Sequence, residues 1–358
     1  MKKKNIVIVI VTLCVILAAV VVVSRNTKRA TFKQDFHIED TSTIVKIFLA
    51  DKNNGQVLLT MQPDSTWLVN EKYPASQAMV DMLLETLNDM RIRQRVNKNA
   101  IENVVKDIST RGVKVDVYQT VYAINWFGGK MRLFPREKLT TTYYVGREVQ
   151  DMGGSHMYRQ GDDVPYVIYV PDLRGFPSPR FVTDPYKWRS HNIVDLNVKQ
   201  IKRIELNIPS EPEESFAIVR DGDGFCMELT SKNELTEDFD TARVAQFLSS
   251  FTWLNFDEYA NIVPNANMDS CVKGTPRAVL TITDTANNTN VVETYIKYTN
   301  PDDLKAIPDP EMYETFDLNR LYAVINRKDT VLIQYFVFDN ILQPASYFLG
   351  KTTGEFIQ

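Results

Sequence analysis

Hydrophobic and polar positions change their period several times along this chain, and each change marks a predicted element. The run that opens at Ile6 and closes at Val23 has no period: eighteen residues pass without a charge, proline or glycine. At a helical rise of ~1.5 Å per residue it covers roughly 27 Å, close to the ~30 Å hydrocarbon core of a bilayer. It is longer than the apolar core of a secretory signal, and Val22, Val23 and Ser24 make a poor cleavage site. It therefore predicts an uncleaved membrane anchor, with a cleaved signal and a lipoprotein on Cys14 as the lesser alternatives. Lys2, Lys3 and Lys4 nearly balance Arg25, Lys28, Arg29 and Lys33 across it. The very short N-terminal tail favours a body lying outside the cytoplasmic membrane.

Past a polar tether at 24–34, alternation takes over. Ile44, Ile47 and Leu49 lead a strand, followed by strands at 57–59 and 66–69, with Asn53-Asn54-Gly55 and Pro63-Asp64 as turns. Val80, Leu83, Leu84 and Leu87 then fall at i, i+3, i+4 and i+7, one face of a helix predicted over 76–90. A second, shorter helix is predicted over 97–109. The period returns to two at Val113, Val115 and Val117, and 123–134 reads as a β-hairpin through Gly128-Gly129. Strands at 143–145 and 166–170 complete this half.

The later chain repeats the plan. Ile201, Ile204 and Leu206 reproduce the spacing of Ile44, Ile47 and Leu49, and Val244, Phe247, Leu248 and Phe251 that of Val80, Leu83, Leu84 and Leu87. Asp172, Pro177 and Phe181 match Asp339, Pro344 and Phe348 in their intervals. A hairpin is predicted over 277–298, a loop at 301–310, strands at 321–326 and 331–338, and a tail at 352–358. These offsets point to an internal duplication. The expected fold class is α+β: an N-terminal transmembrane helix followed by two similar domains, each a mostly antiparallel sheet with one or two packed helices. The limits are 1–29 for the anchor and its basic flank, 30–192 for the first domain and 193–358 for the second.

Charge sharpens this picture. Removing the six lysines and arginines of 1–29 from a net −4 leaves the body at −10. An acidic body argues against nucleic acid as a partner and against adhesion to anionic headgroups. Only Cys226 and Cys271 follow the span, too few for a disulfide framework; they form either one bridge or two buried thiols.

Candidate chemistry is sparse. His37, His156 and His191 are the only histidines, and no zinc, calcium, Walker or dinucleotide pattern occurs, so no cofactor and no metal is expected. Ser155 beside His156 in a glycine turn has an enzyme's residue types without a nucleophile elbow, and a turn between strands explains it better. The carboxylate pairs, such as Asp221 with Asp223, lie in turn-rich polar stretches that read as solvated surface. Trp126, Tyr143, Tyr144, Tyr158 and Tyr166 crowd one region and make a candidate glycan- or peptide-binding surface, although sheet core packing accommodates aromatics equally well.

The anchor, the Ile44-x-x-Ile47-x-Leu49 opening, the Trp67 strand before a leucine-patterned helix, Tyr144-Val145-Gly146 and the turn Gly154-Ser155-His156-Met157-Tyr158 together carry a family resemblance. The chain resembles the uncharacterised membrane-anchored bacterial envelope proteins of domain-of-unknown-function family 4340. The resemblance implies a membrane protein partner such as an ABC-type transport system, and it carries no catalytic residues. The expected function is a non-enzymatic, membrane-anchored extracytoplasmic scaffold or accessory protein of an envelope or transport assembly, held to the bilayer by Ile6 to Val23. The alternative is a glycan- or peptide-binding module using 126–169.

Overall fold

The computed structural model describes residues 36–126, 131–260, 268–299 and 316–350. The predicted anchor, its tether, the Gly128-Gly129 turn, the 301–310 loop and the 352–358 tail lie outside the described residues. Among the described residues no helix is long and apolar enough to cross a membrane. The chain divides into two compact units, Met1–Arg189 and Ser190–Gln358. Trp188 closes the first: its ring is fully buried and its Nε1 donates to the Val182 carbonyl at 2.8 Å.

Alternation generates the first unit. Its strands are β1 (Ile44–Ala50), β2 (Gln56–Met61), β3 (Trp67–Val69), β4 (Tyr73–Pro74), β5 (Arg91–Arg95), β6 (Val113–Trp126), β7 (Met131–Glu148), β8 (Ser155–Arg159) and β9 (Tyr166–Tyr169). They form one sheet in the order β4-β3-β2-β1-β6-β7-β8-β9-β5, antiparallel at every pairing. Ile47, Leu49, Val57, Leu59, Val115 and Val117 all point to one face because successive strand residues alternate. The helix Gln77–Asp89 covers that face with Val80, Leu83 and Leu87, each fully buried. Burying each such side chain contributes about 1.5–3 kcal/mol. A second helix, Ile101–Arg111, starts after a turn at Lys98–Ala100 and buries Ile108.

The second unit holds β10 (Asn192–Val194), β11 (Ile201–Asn207), β12 (Phe216–Asp221), β13 (Gly224–Leu229), β14 (Glu234–Thr236), β15 (Leu254–Asn255), β16 (Glu258–Tyr259), β17 (Ala278–Asp284), β18 (Thr289–Tyr298), β19 (Phe316–Ile325) and β20 (Asp329–Gln334). Apart from the small β10–β15 pair, the strand order is β14-β13-β12-β11-β17-β18-β19-β20-β16. Strand for strand, this is the order of the first sheet. The registers agree as well. Ile47 faces Val117 and Leu49 faces Val115 in one sheet; Ile204 faces Ile282 and Leu206 faces Leu280 in the other. Both ladders shift register at the same step, after Ile44 and after Ile201. The helix Thr241–Ser249 buries Val244, Phe247 and Leu248, and its N-terminus is capped by the Asp240 carboxylate. Pro177 and Pro344 each introduce a single helical turn, and Phe181 and Phe348 are buried at its end.

One predicted strand changes type. The stretch 331–338 ends as β20 at Gln334, and Tyr335–Phe338 is a helical turn. Four consecutive apolar residues suit a strand buried on both faces, but here the turn buries Phe338 and turns Phe336 outward.

Candidate functional site

In the first unit β6 and β7 outrun every neighbour. β1 pairs with β6 only from Lys114 to Gln119, and β8 pairs with β7 only from Tyr143 onward. Beyond Gln119 the two strands pair with each other alone, through Tyr122–Pro135, Ile124–Leu133 and Trp126–Met131. At ~3.3 Å per residue, 120–126 carries this ribbon roughly 23 Å past the end of β1. Directly opposed residues share a face. Tyr122, Pro135, Ile124 and Leu133 therefore give one face an apolar run, while the Val121–Arg136 pair lies on the other. The Arg132 guanidinium sits 5.5 Å from the centre of the Tyr122 ring. Leu133, Phe134 and Leu139 are exposed, Phe134 at 69%. Phe134 also holds a φ of 58°, a region that costs a bulky side chain about 1–2 kcal/mol.

The ribbon's base is pinned. A bulge between Val117 and Tyr118 leaves Thr140 as the extra residue, and its hydroxyl donates to Gln119 Oε1 at 2.5 Å. Gln119 Nε2 donates in turn to Thr43 Oγ1 at 2.7 Å and to the Asp40 carbonyl at 3.2 Å. Lys46 of β1 pairs with Glu137 of β7. Below the bulge, the buried Asp116 carboxylate accepts from Thr142 Oγ1 and Lys114 Nζ, both at 2.6 Å. The hydrogen bond to Asp116 pushes the Lys114 pKa above the usual lysine range.

The five aromatic residues predicted as a ligand surface do not come together. Tyr143 and Tyr166 are core residues around Phe36; the Tyr143 hydroxyl donates to the Phe36 carbonyl at 2.7 Å, and burial pushes its pKa strongly up. Tyr144 and Tyr158 are a half-buried cross-strand pair on the opposite face, with ring centroids 6.1 Å apart. Trp126 ends β6 in the ribbon, and its side chain lies outside the described residues. Ser155 and His156 are also separated, since neighbours on β8 point to opposite faces. Ser155 is fully buried and its Oγ accepts from the Ser178 amide at 3.1 Å, so the hydroxyl serves the fold. Burial lowers the His156 pKa, against the pull of Asp107. Cys226 and Cys271 are free thiols, each half-buried. Among the described residues no group of three or more metal-binding side chains occurs.

Sequence reasoning missed a patch on the second unit. Phe336 is 90% exposed and Leu318 62%, and both line a shallow depression of about 510 Å³. Charged groups around it are held in place: Lys297 pairs with Asp317 at 2.6 Å, Arg320 with Asp257 at 2.8 Å, and Arg277 donates to the Tyr335 hydroxyl at 3.0 Å. An apolar centre with an ordered polar rim is the arrangement of a protein-binding patch. The signal was present in Tyr335-Phe336-Val337-Phe338, four apolar residues that one helical turn cannot all bury.

A family model described as domain of unknown function (DUF4340) matches residues 67–271, from β3 of the first unit to the helical turn Met268–Cys271 of the second. No curated protein matches the chain, and no solved structure does.

Proposed function

The chain belongs to the DUF4340 family, and on that premise we propose that it is a membrane-anchored, extracytoplasmic accessory or scaffold protein of an envelope or transport assembly. It works by docking. The observation that carries this reading is the Leu318–Phe336 patch, where a large aromatic ring stands almost wholly in solvent beside fixed ion pairs. Exposed aromatic anchors of this kind supply most of the binding energy in protein interfaces. The anchor at 6–23 places the body on the outer side of the cytoplasmic membrane. The two units descend from one duplicated domain, a reading supported by their shared strand order and matched register shifts.

The test is a photoreactive residue in place of Phe336 in the full-length protein, irradiated in intact cells. The expected result is a single protein adduct, identified as a transport or envelope-assembly subunit and lost with Leu318→Asp. Absence of any protein adduct overturns the docking reading. A second reading, glycan or peptide binding, rests on Tyr144 and Tyr158, whose half-exposed rings neighbour each other across β7 and β8, with Lys114 of β6 opposite Tyr144. It requires Tyr158→Ala to abolish binding in a glycan or peptide screen.

A further inference from the structure

The Leu318–Phe336 patch lies at the end of the second sheet where β11, β18 and β20 finish and β17 and β19 begin. The registers align this end with its counterpart in the first sheet. Val113 faces Val145 as Ala278 faces Thr294, so Gly146 of β7 and Tyr295 of β18 hold the same place. In the first unit the helix Ile101–Arg111 covers that place, and a Cβ on Gly146 would come within 2.7 Å of Ile108 Cγ1. Tyr295 leaves no room for a helix at that distance, and among the described residues the element between β16 and β17 is the single turn Met268–Cys271. What opens instead is a depression of about 670 Å³ lined by Pro209, Cys271, Pro276, Arg277, Tyr295 and Tyr298. It adjoins the depression around Phe336. Arg277 Nη1 donates at 3.0 Å to the hydroxyl of Tyr335, which lines that second hollow, so the two share a wall.

The apolar part of this surface is built before anything binds. Between the pairs Ile296–Leu321 and Tyr298–Phe316, the residues 317–320 of β19 stand against Lys297 alone. The Asp317 carboxylate fixes this bulge by accepting from the amides of Asn319 at 2.8 Å and Arg320 at 3.0 Å, and from Lys297 Nζ at 2.6 Å. Leu318 is exposed on the bulge and Phe336 on the neighbouring helical turn. A partner meeting side chains already held out in this way orders little of the protein on binding.

Charge identifies what fits. Lys297 is matched by Asp317 and Arg320 by Asp257. Arg277 is exposed and has no carboxylate partner among the described residues; its guanidinium lies 5.5 Å from the centre of the Tyr335 ring and bonds to the neutral Tyr335 hydroxyl. A guanidinium with one nitrogen on a hydroxyl keeps its other N–H groups for a carboxylate, which it holds as a fork. We propose that the docking segment of the partner is both apolar and acidic. An apolar side chain meets Phe336 and Leu318, and a carboxylate a few residues away is held by Arg277. This rests on the docking reading of the patch and names its recognition chemistry. The net acidity of the body disfavours such a segment elsewhere on the surface, so Arg277 contributes selectivity as well as attraction.

The test uses the full-length protein in intact cells, with the photoreactive residue in place of Phe336 and Arg277 varied. Mass spectrometry of the adduct is expected to place an Asp, a Glu or the C-terminal carboxylate within roughly four residues of the crosslinked position, ~13 Å of extended chain. Arg277→Glu is expected to lower the adduct yield about tenfold, and Arg277→Lys to lower it less, because lysine keeps the charge and loses the fork. Replacing the partner's acidic residue by Lys is expected to restore the yield of Arg277→Glu. A yield unchanged by Arg277→Glu, a loss that the charge exchange does not restore, or a crosslinked segment without a carboxylate overturns this proposal and leaves the docking reading standing. Absence of any protein adduct with Arg277 intact overturns the docking reading, and this proposal with it.

Discussion

The hairpins β6–β7 and β17–β18 begin as the same object and end as different ones. Each packs beside the first strand of its nine-stranded sheet, with Val115 and Val117 in one and Leu280 and Ile282 in the other facing the core. In the second unit the chain then turns at once. Asp284 accepts from the Asn288 amide and side chain, both at 2.8 Å, and Asn287 takes a φ of 66°. In the first unit a bulge at Thr140 redirects the strands and they run on as a ribbon. The difference teaches that the core specifies the shared part of the hairpin and leaves its outer end free to vary.

The sharpest test of this division is in the cores. Phe247→Ala is expected to destabilise the second unit by about 3–5 kcal/mol, and Leu83→Ala the first by about 2–5 kcal/mol. Leu133→Ala in the ribbon should stay within about 0.5 kcal/mol, all three measured by urea titration. Comparable losses at all three sites would break the comparison.

Next in size is the Lys114–Asp116 pair beneath the ribbon. Asp116→Asn keeps the shape but removes the charged acceptor, and is expected to cost about 1–3 kcal/mol. Its pH signature follows from Lys114, whose folded pKa is raised by the hydrogen bond to Asp116. That contribution is fully present below the unfolded lysine value of ~10.4 and is lost as pH rises through the higher folded value. Lys114→Met should flatten this alkaline limb in a series of thermal melts. An unchanged limb would remove Lys114 from the account.

Replacing 120–137 by 285–288 is expected to leave the circular dichroism and the melting temperature of the first unit nearly unchanged, because no core residue is removed. Loss of the fold on this exchange would mean that the ribbon belongs to the core after all. The smallest expected effect is at the short turn. The Asn288 side-chain hydrogen bond holds the Asp284 carboxyl below the usual carboxylate range. The turn is therefore intact above the unfolded carboxylate value and loosens as pH falls through the lower folded one. Hydrogen exchange at the Asn288 amide should accelerate there, and Asp284→Ala should abolish that pH dependence.

What the sequence made legible follows the same line. Val80, Leu83 and Leu87 announce their helix because one core face imposes one period. Gly128-Gly129 announced a hairpin, but only over 123–134. The residues at the base of the ribbon, Tyr118 to Tyr122 and Pro135 to Leu139, face no core and keep no clean alternation. The aromatic cluster misled for a geometric reason. Tyr143 and Tyr144 are neighbours in sequence and on opposite faces in the sheet, so proximity along a strand separates side chains. Phe336 escaped notice because a run of apolar residues does not reveal which member a helical turn will expel.

The outermost strands of the two sheets bear on a hazard that every tandem β-rich chain meets, sheet growth from one copy to the next. Each sheet is open, so its rims offer unpaired amides and carbonyls to any passing strand. Here β4, β14 and β16 are only two or three residues long, and β4 contains Pro74. The longest rim, β5, carries Arg91, Arg93 and Arg95. Like-charged, truncated or proline-blocked rims repel or fail to template an incoming strand. Crowded copies can thus stay separate, and the surfaces left for association are side-chain surfaces rather than backbone edges.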